Sequence, residues 1–202
     1  MMKPRIVLAS TSPRRKELLQ SVGVQFEIIA PSSDESLLGK ENPEDYALRL
    51  SREKALSVSQ NLDGNTLVIG ADTIVVVDNR ILGKPKDEED AKIMLSKISG
   101  RVHHVLTAFS ITKGEHEILH THIVGTEVIV KTLEPQEIEG YIKTGEPMDK
   151  AGAYGIQGVG AFMVKEIRGS YTNVVGLPLV EVLEALKKLG ALELFSGDGF
   201  SK

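Results

Sequence analysis

The chain has 202 residues, 41% of them hydrophobic, which is enough for one large core or two lobes sharing one, and no run is long enough to cross a bilayer. A formal net charge of -4 provides no general basic field, so nucleic-acid polymers are not expected partners and an anionic ligand needs a local cationic cluster. The absence of cysteine excludes disulfides and thiolate metal sites and makes a reducing cytoplasm the default compartment.

The N-terminus "MMKPRIVLAS" passes straight into a strand-like run, so neither a signal nor a transit peptide is expected. An amphipathic helix follows from Pro13 to about Val22, and "VQFEIIA" alternates as a strand does. After the polar loop "PSSDESLLGKENPED", a helix runs from Pro43 to about Gln60, with Asn42 as its cap. "TLVIGADTIVVVDNRILGKP" is β-rich and bends near Asp78 and Asn79. "DEEDAKIMLSKISG" is a helix with acids first, Lys97 late and Gly100 as its stop. A long antiparallel hairpin turns at Lys113 and Gly114, and "EPQEIEGYIKTG" is a helix ending at Gly145. Beyond a glycine-rich segment comes a final helix, "LPLVEVLEALKKLG". The pattern predicts a single α/β domain over residues 1–190, a mixed sheet flanked by helices in two lobes around a cleft, and a flexible tail over 191–202.

Several residues are not explained by folding alone. Ser12 and Pro13 form an ordinary helix start, but Arg14, Arg15 and Lys16 follow in the first turn, where the backbone dipole is already positive. An anion at that point reverses the penalty, because free N–H groups and guanidinium forks converge on it. The loop lacks the glycines and lysine of a P-loop, so Ser10, Ser12, Arg14 and Arg15 read instead as a hydroxyl-and-arginine phosphate cradle.

In the helix from Pro43, the residues Ala47, Leu50, Lys54 and Val58 fall on one line, which sets Lys54 in the inward stripe. Its stem either snorkels to water or its ammonium meets an anion. Arg49 and Glu53 read as an exposed pair. Asp72 and Thr73 interrupt an otherwise buried strand, and a desolvated carboxylate needs a partner or a metal. Gly70 marks a bulge or a close backbone approach. For the loop acids Asp34 and Glu35, and for Lys84, surface and functional readings stand about equal. Gln157 lies among glycines, where its amide either reads a base edge or belongs to a plain turn. His103, His104, His116, His120 and His122 cluster in or near the hairpin, and a solvated sheet face explains them better than a metal site.

Taken in order, "LASTSPRR", "SREKA", "GADTIV", "ILGKP" and "AYGIQGVGAFMVKEIRGSYTNVVGLPL" resemble the Maf family of nucleoside triphosphate pyrophosphatases, long linked to septum formation. The resemblance covers essentially the whole chain except the tail. It implies a two-lobed α/β fold similar to inosine triphosphate pyrophosphatases, a homodimer, and hydrolysis of a nucleoside triphosphate to monophosphate and pyrophosphate with Mg²⁺ or Mn²⁺. It also carries functional roles onto Arg14, Glu35, Lys54, Asp72, Lys84 and Gln157. Of these, Arg14, Glu35, Lys54 and Asp72 would form the polyphosphate and metal centre, with Glu35 and Asp72 on the metal. "GADT" and "YGIQG" resemble the branch acting on dTTP and UTP, in which Arg14, Thr73 and Gln157 mark specificity. Asp72 would either accept the proton of the attacking water or position a water that the metal has acidified. Two other readings stay open: a nucleotide-binding regulator of cell division with little turnover, and a hydrolase for modified nucleotides.

Overall fold

The computed structural model describes residues 3–36, 38–114 and 117–193. Among them, strands β1 (Arg5–Ala9), β2 (Glu27–Ile28), β3 (Thr66–Val77), β4 (Arg80–Leu82), β5 (Val102–Lys113), β6 (Glu117–Val130) and β7 (Val164–Arg168) form one sheet. Its order is β2-β1-β3-β5-β6-β7, with β4 added beside β3. The sheet is mixed: β1 runs parallel to β2 and β3, while β3–β4 and β6–β7 are antiparallel. The helices are α1 (Pro13–Ser21), α2 (Pro43–Ser59), α3 (Glu88–Ile98), α4 (Pro135–Lys143), α5 (Tyr171–Val175) and α6 (Leu179–Lys188). No helix among the described residues is long and apolar enough to cross a membrane.

The chain divides into two compact units. The first comprises Met1–Asp72, Ala108–Ile123 and Gly176–Lys202. Here β1 is buried from Ile6 onward, as a parallel strand with a neighbour on either side must be. Alternation along β1 and β3 sends Ile6, Leu8, Leu67 and Ile69 to one face, where they meet Leu19 of α1 and Val182 and Leu186 of α6. Val7, Ala9 and Val68 take the other face and meet Ala55 and Val58 of α2. The cap predicted for α2 is present, the Asn42 side chain accepting from Asp45 N at 2.8 Å. Residues 194–202, most of the expected tail, lie outside the described residues, whereas Ala191 and Leu192 pack on this unit's core.

The second unit comprises Thr73–Thr107 and Val124–Val175. Its core gathers Leu95 and Ile98 of α3, Val105, Val128, Ile142 of α4 and Met163. The predicted bend is a two-residue turn with φ of 50° at Asp78 and 58° at Asn79, positions that tolerate the left-handed region. Asp87 caps α3 by accepting from Asp90 N at 2.8 Å. Nothing in the hydrophobic pattern marks α5, and the glycine-rich segment settles into short 3₁₀ turns.

The histidines part company. His116 lies outside the described residues. His120 and His122 stack by Phe109, and His104 Nε2 lies 3.7 Å from Glu127 Oε1. His103 departs from the expected solvated face. It is 1% exposed, with Nε2 bonded to the Tyr154 hydroxyl at 2.7 Å, because its strand position faces the core.

Candidate active site

Strand periodicity builds the centre of the first unit. Val68, Gly70 and Asp72 share one face of β3 by their spacing, and the contacts of Val68 and Gly70 put α2 against that face. A Cβ on Gly70 would lie 2.4 Å from the Ser51 carbonyl oxygen and 2.5 Å from Ala55 N, so glycine is what lets the helix backbone come this close. No bulge is needed, since Gly70 keeps its register opposite Ala9. One turn along α2, Lys54 is 8% exposed and its Nζ donates to Asp72 Oδ1 at 2.6 Å. The same ammonium meets Glu35 Oε1 at 2.7 Å. The ammonium does not snorkel to bulk water; two carboxylates converge on it.

Glu35 is delivered by a loop that α2 anchors. The Tyr46 hydroxyl donates to the Glu35 carbonyl at 2.7 Å, and Arg49 Nη2 donates to the Ser36 carbonyl at 3.0 Å. Burial, then the charges of Asp72 and Glu35, push the Tyr46 hydroxyl up to about 12, which keeps it a neutral donor. Arg49 is therefore more than half of an exposed pair with Glu53. It also forks onto Glu41 at 2.8 and 2.9 Å, and its side chain is largely buried. The backbone N–H of Ser36 turns back onto Asp34 Oδ1 at 2.9 Å, which accounts for Asp34 as a turn residue.

The loop from β1 into α1 carries the cationic helix start. Ser12 sits at the N-cap position, but its hydroxyl makes no capping bond; its carbonyl accepts from Lys16 N instead. The Ser10 hydroxyl accepts from Ser12 N and from Arg15 Nη1, both at 3.2 Å, and Arg15 Nε donates to the Gly176 carbonyl at 2.8 Å. Ser10 and Arg15 thus brace the loop itself. Burial lowers the Arg15 pKa; Asp72 and Glu35 oppose that, and Arg14 adds to it. Arg15 thus lies within electrostatic reach of Asp72, Arg14 and Glu35.

The remaining expected site residues belong to the second unit. Thr73, the residue after Asp72, bonds its hydroxyl to Thr107 Oγ1 at 3.0 Å, and Thr107 donates to the Asn173 carbonyl. Lys84 is exposed on the segment between β4 and α3, which is tied down where Gly152 N donates to the Gly83 carbonyl at 2.9 Å. Gln157 is exposed and sits at the N-cap of a 3₁₀ turn.

Compared with known proteins, residues 5–189 match the family described as Maf-like protein. The chain belongs to the Maf family. Among Maf relatives, a dTTP/UTP pyrophosphatase of Geotalea uraniireducens is 53% identical over 95% of this chain and 98% of its own length. One of the same name from Geobacter sulfurreducens is 52% identical over 95% of this chain and 100% of its own. That of Vibrio cholerae is 51% identical over 91% and 97%. A solved dITP/XTP pyrophosphatase from Mycobacterium abscessus is 17% identical with a TM-score of 0.38, covering 70% of this chain and 95% of that one. A likeness that weak adds nothing to the mixed α/β architecture seen directly.

For the Maf chain the donor chemistry of a divalent cation can be tested on the side chains present. Glu35 and Asp72 bring carboxylate oxygens to one small volume, the surroundings of Lys54 Nζ. Among the described residues no group of three or more His, Asp or Glu is arranged to hold a metal. Two hard carboxylates completed by phosphate oxygens and water suit Mg²⁺ or Mn²⁺, which take few protein ligands in nucleotide sites.

Proposed function

We propose that this chain hydrolyses dTTP and UTP to the nucleoside monophosphate and pyrophosphate. The observation that carries the reading is the Lys54 ammonium held at 2.6 Å by Asp72 and 2.7 Å by Glu35, in a chain with Maf relatives at about half identity. The reaction breaks the bond from the α-phosphorus to the bridging oxygen and expels a leaving group rich in negative charge, so catalysis is mostly placement of opposite charge. Arg14, the start of α1, Lys54 and Lys84 bind phosphate oxygens, while Ser10, Ser12 and Arg15 hold the cradle in shape. Asp72 receives or orients the proton of the attacking water, and the Lys54 bond fixes its carboxylate for that task. Glu35 and Asp72 would hold Mg²⁺ or Mn²⁺, which would supply charge neutralisation and a more acidic water.

Thr73 and Gln157 choose the base in this reading. Uracil and thymine offer an imide N–H beside a carbonyl, and one amide answers both at once. Cytosine reverses the polarity at its exocyclic group. The substrate is a free nucleotide, the expected assembly is a homodimer, and the expected compartment is the cytoplasm. The names carried by close relatives do not favour a regulator without turnover.

A pyrophosphate-release assay over a panel of nucleoside triphosphates, with and without Mg²⁺ or Mn²⁺, tests this reading. Asp72→Asn is expected to lower kcat at least about 100-fold with a smaller change in nucleotide affinity. Wild-type turnover confined to purine nucleotides, or full turnover in Asp72→Asn, rejects it.

A further inference from the structure

The glycines around Gln157 approach the protein itself. A Cβ on Gly158, whose φ is +71°, would lie 2.7 Å from Glu146 Oε2. One on Gly160 would lie 2.3 Å from the Gly155 carbonyl and 2.5 Å from the Tyr141 hydroxyl. What the segment wraps is a carboxylate. Glu146 Oε2 accepts from Val159 N and Oε1 from Gly160 N, both at 2.9 Å. The Tyr141 hydroxyl donates to Glu146 Oε1 at 2.9 Å and accepts from Gly155 N at 3.2 Å. Backbone N–H groups before and after Gln157 are therefore held by one Tyr141–Glu146 pair, and only residues 156–158 span the interval. Lys150 completes the arrangement, its Nζ donating to the Glu146 carbonyl at 2.7 Å. Burial alone would raise the Glu146 pKa, but the Gly160 and Val159 N–H groups, Tyr141 and Lys150 overcome it and keep the carboxylate ionised.

We infer that Glu146 is a specificity-determining positioning residue: by gripping the backbone on one side of Gln157 directly and on the other through Tyr141, it sets where the Gln157 amide is presented to the base. The inference rests on the base-selecting role proposed for Gln157 and extends it to a side chain that need not touch substrate. A carboxylate suits the task because its three donors, two backbone N–H groups and the Tyr141 hydroxyl, need an acceptor without a proton of its own. Gln in its place turns an NH₂ toward at least one of them. Rigid presentation matters because base discrimination depends on both hydrogen bonds forming together.

The test compares wild type, Glu146→Gln, Glu146→Ala, Tyr141→Phe, Gln157→Ala and the double variant Glu146→Ala/Gln157→Ala. The readouts are kcat and KM for UTP and CTP, thermal melting, and amide hydrogen exchange at Val159 and Gly160. Glu146→Ala is expected to lose amide protection and to shrink the UTP-over-CTP ratio of kcat/KM about tenfold, chiefly through KM for UTP. Glu146→Gln and Tyr141→Phe should fall between it and wild type. The double variant should discriminate no worse than Gln157→Ala alone, since the two act as a unit. An unchanged ratio in a folded Glu146→Ala, or equal losses for UTP and CTP, overturns the inference while the proposed activity stands. A wild type that turns over no pyrimidine triphosphate overturns that activity first, and the inference with it.

Discussion

At Lys54, two carboxylates, those of Asp72 and Glu35, share one cation. Lys54→Met leaves Asp72, 7% exposed, without its donor, and such a broken buried pair costs about 3 kcal/mol. The proposed function adds a second consequence, loss of phosphate binding, so turnover should fall further than stability alone explains. Denaturant unfolding beside steady-state kinetics separates the two effects. Tyr46 acts on the same cluster through a single bond to the Glu35 backbone. Tyr46→Phe keeps the ring and removes only that anchor. The expected result is a rise of about 3–10-fold in the Mg²⁺ concentration needed for half-maximal turnover, with melting little changed. A metal titration that superimposes on wild type would show that the anchor does not govern Glu35.

Between elements, the approach of α2 to β3 is set by what Gly70 lacks. Gly70→Ala pushes a methyl into the Ser51 carbonyl and Ala55 N, backbone atoms that cannot rotate away. Overpacking of this kind costs about 2–3 kcal/mol, which in a chain of this size lowers Tm by roughly 5–10 °C. Because the same shift draws Lys54 away from Asp72, turnover should fall with it, and calorimetry with kinetics on one sample checks both. In the second unit, β5 buries His103 against Tyr154, and burial, aided by His104, pushes its pKa from 6.5 down to about 4. The folded state therefore disfavours the proton that the unfolded chain accepts. Its contribution is complete above pH 6.5 and disappears as the pH falls from there toward about 4, at most about 3 kcal/mol. His103→Gln should flatten the loss of stability across that window, as read from denaturation midpoints at a series of pH values. Parallel profiles for variant and wild type would remove His103 as the cause.

For the whole molecule, the proposed chemistry requires a divalent cation, toward which Glu35 and Asp72 would contribute two carboxylates. Chelation is therefore expected to abolish pyrophosphate release, with Mg²⁺ or Mn²⁺ restoring it and Ca²⁺ less effective, because the larger ion holds phosphate oxygens less tightly. Sedimentation equilibrium is expected to give twice the chain mass, as a homodimer should. Turnover that persists after exhaustive chelation, or a monomer at assay concentration, would remove the corresponding part of the proposal.

What the residues determined by themselves was local and periodic. Asn42 announces a helix start because capping is decided within three residues. Lys54 announces its inward direction because helical spacing fixes which side a residue faces, and Asp72 stands out in a strand too apolar to leave a carboxylate unpartnered. Tertiary structure decided which partners those directions meet. Arg49 looked like half of a surface pair until the loop brought Glu41 and the Ser36 carbonyl to it from other positions in the chain. Ser10 and Arg15 turned out to brace their own loop because the Gly176 carbonyl comes from a segment 161 residues away. Glu146 gave no signal at all, since a carboxylate that accepts from backbone N–H groups more than a dozen residues on leaves no periodicity to read. Directions follow from the repeat of each element, whereas long-range partners exist only once the chain has folded back on itself.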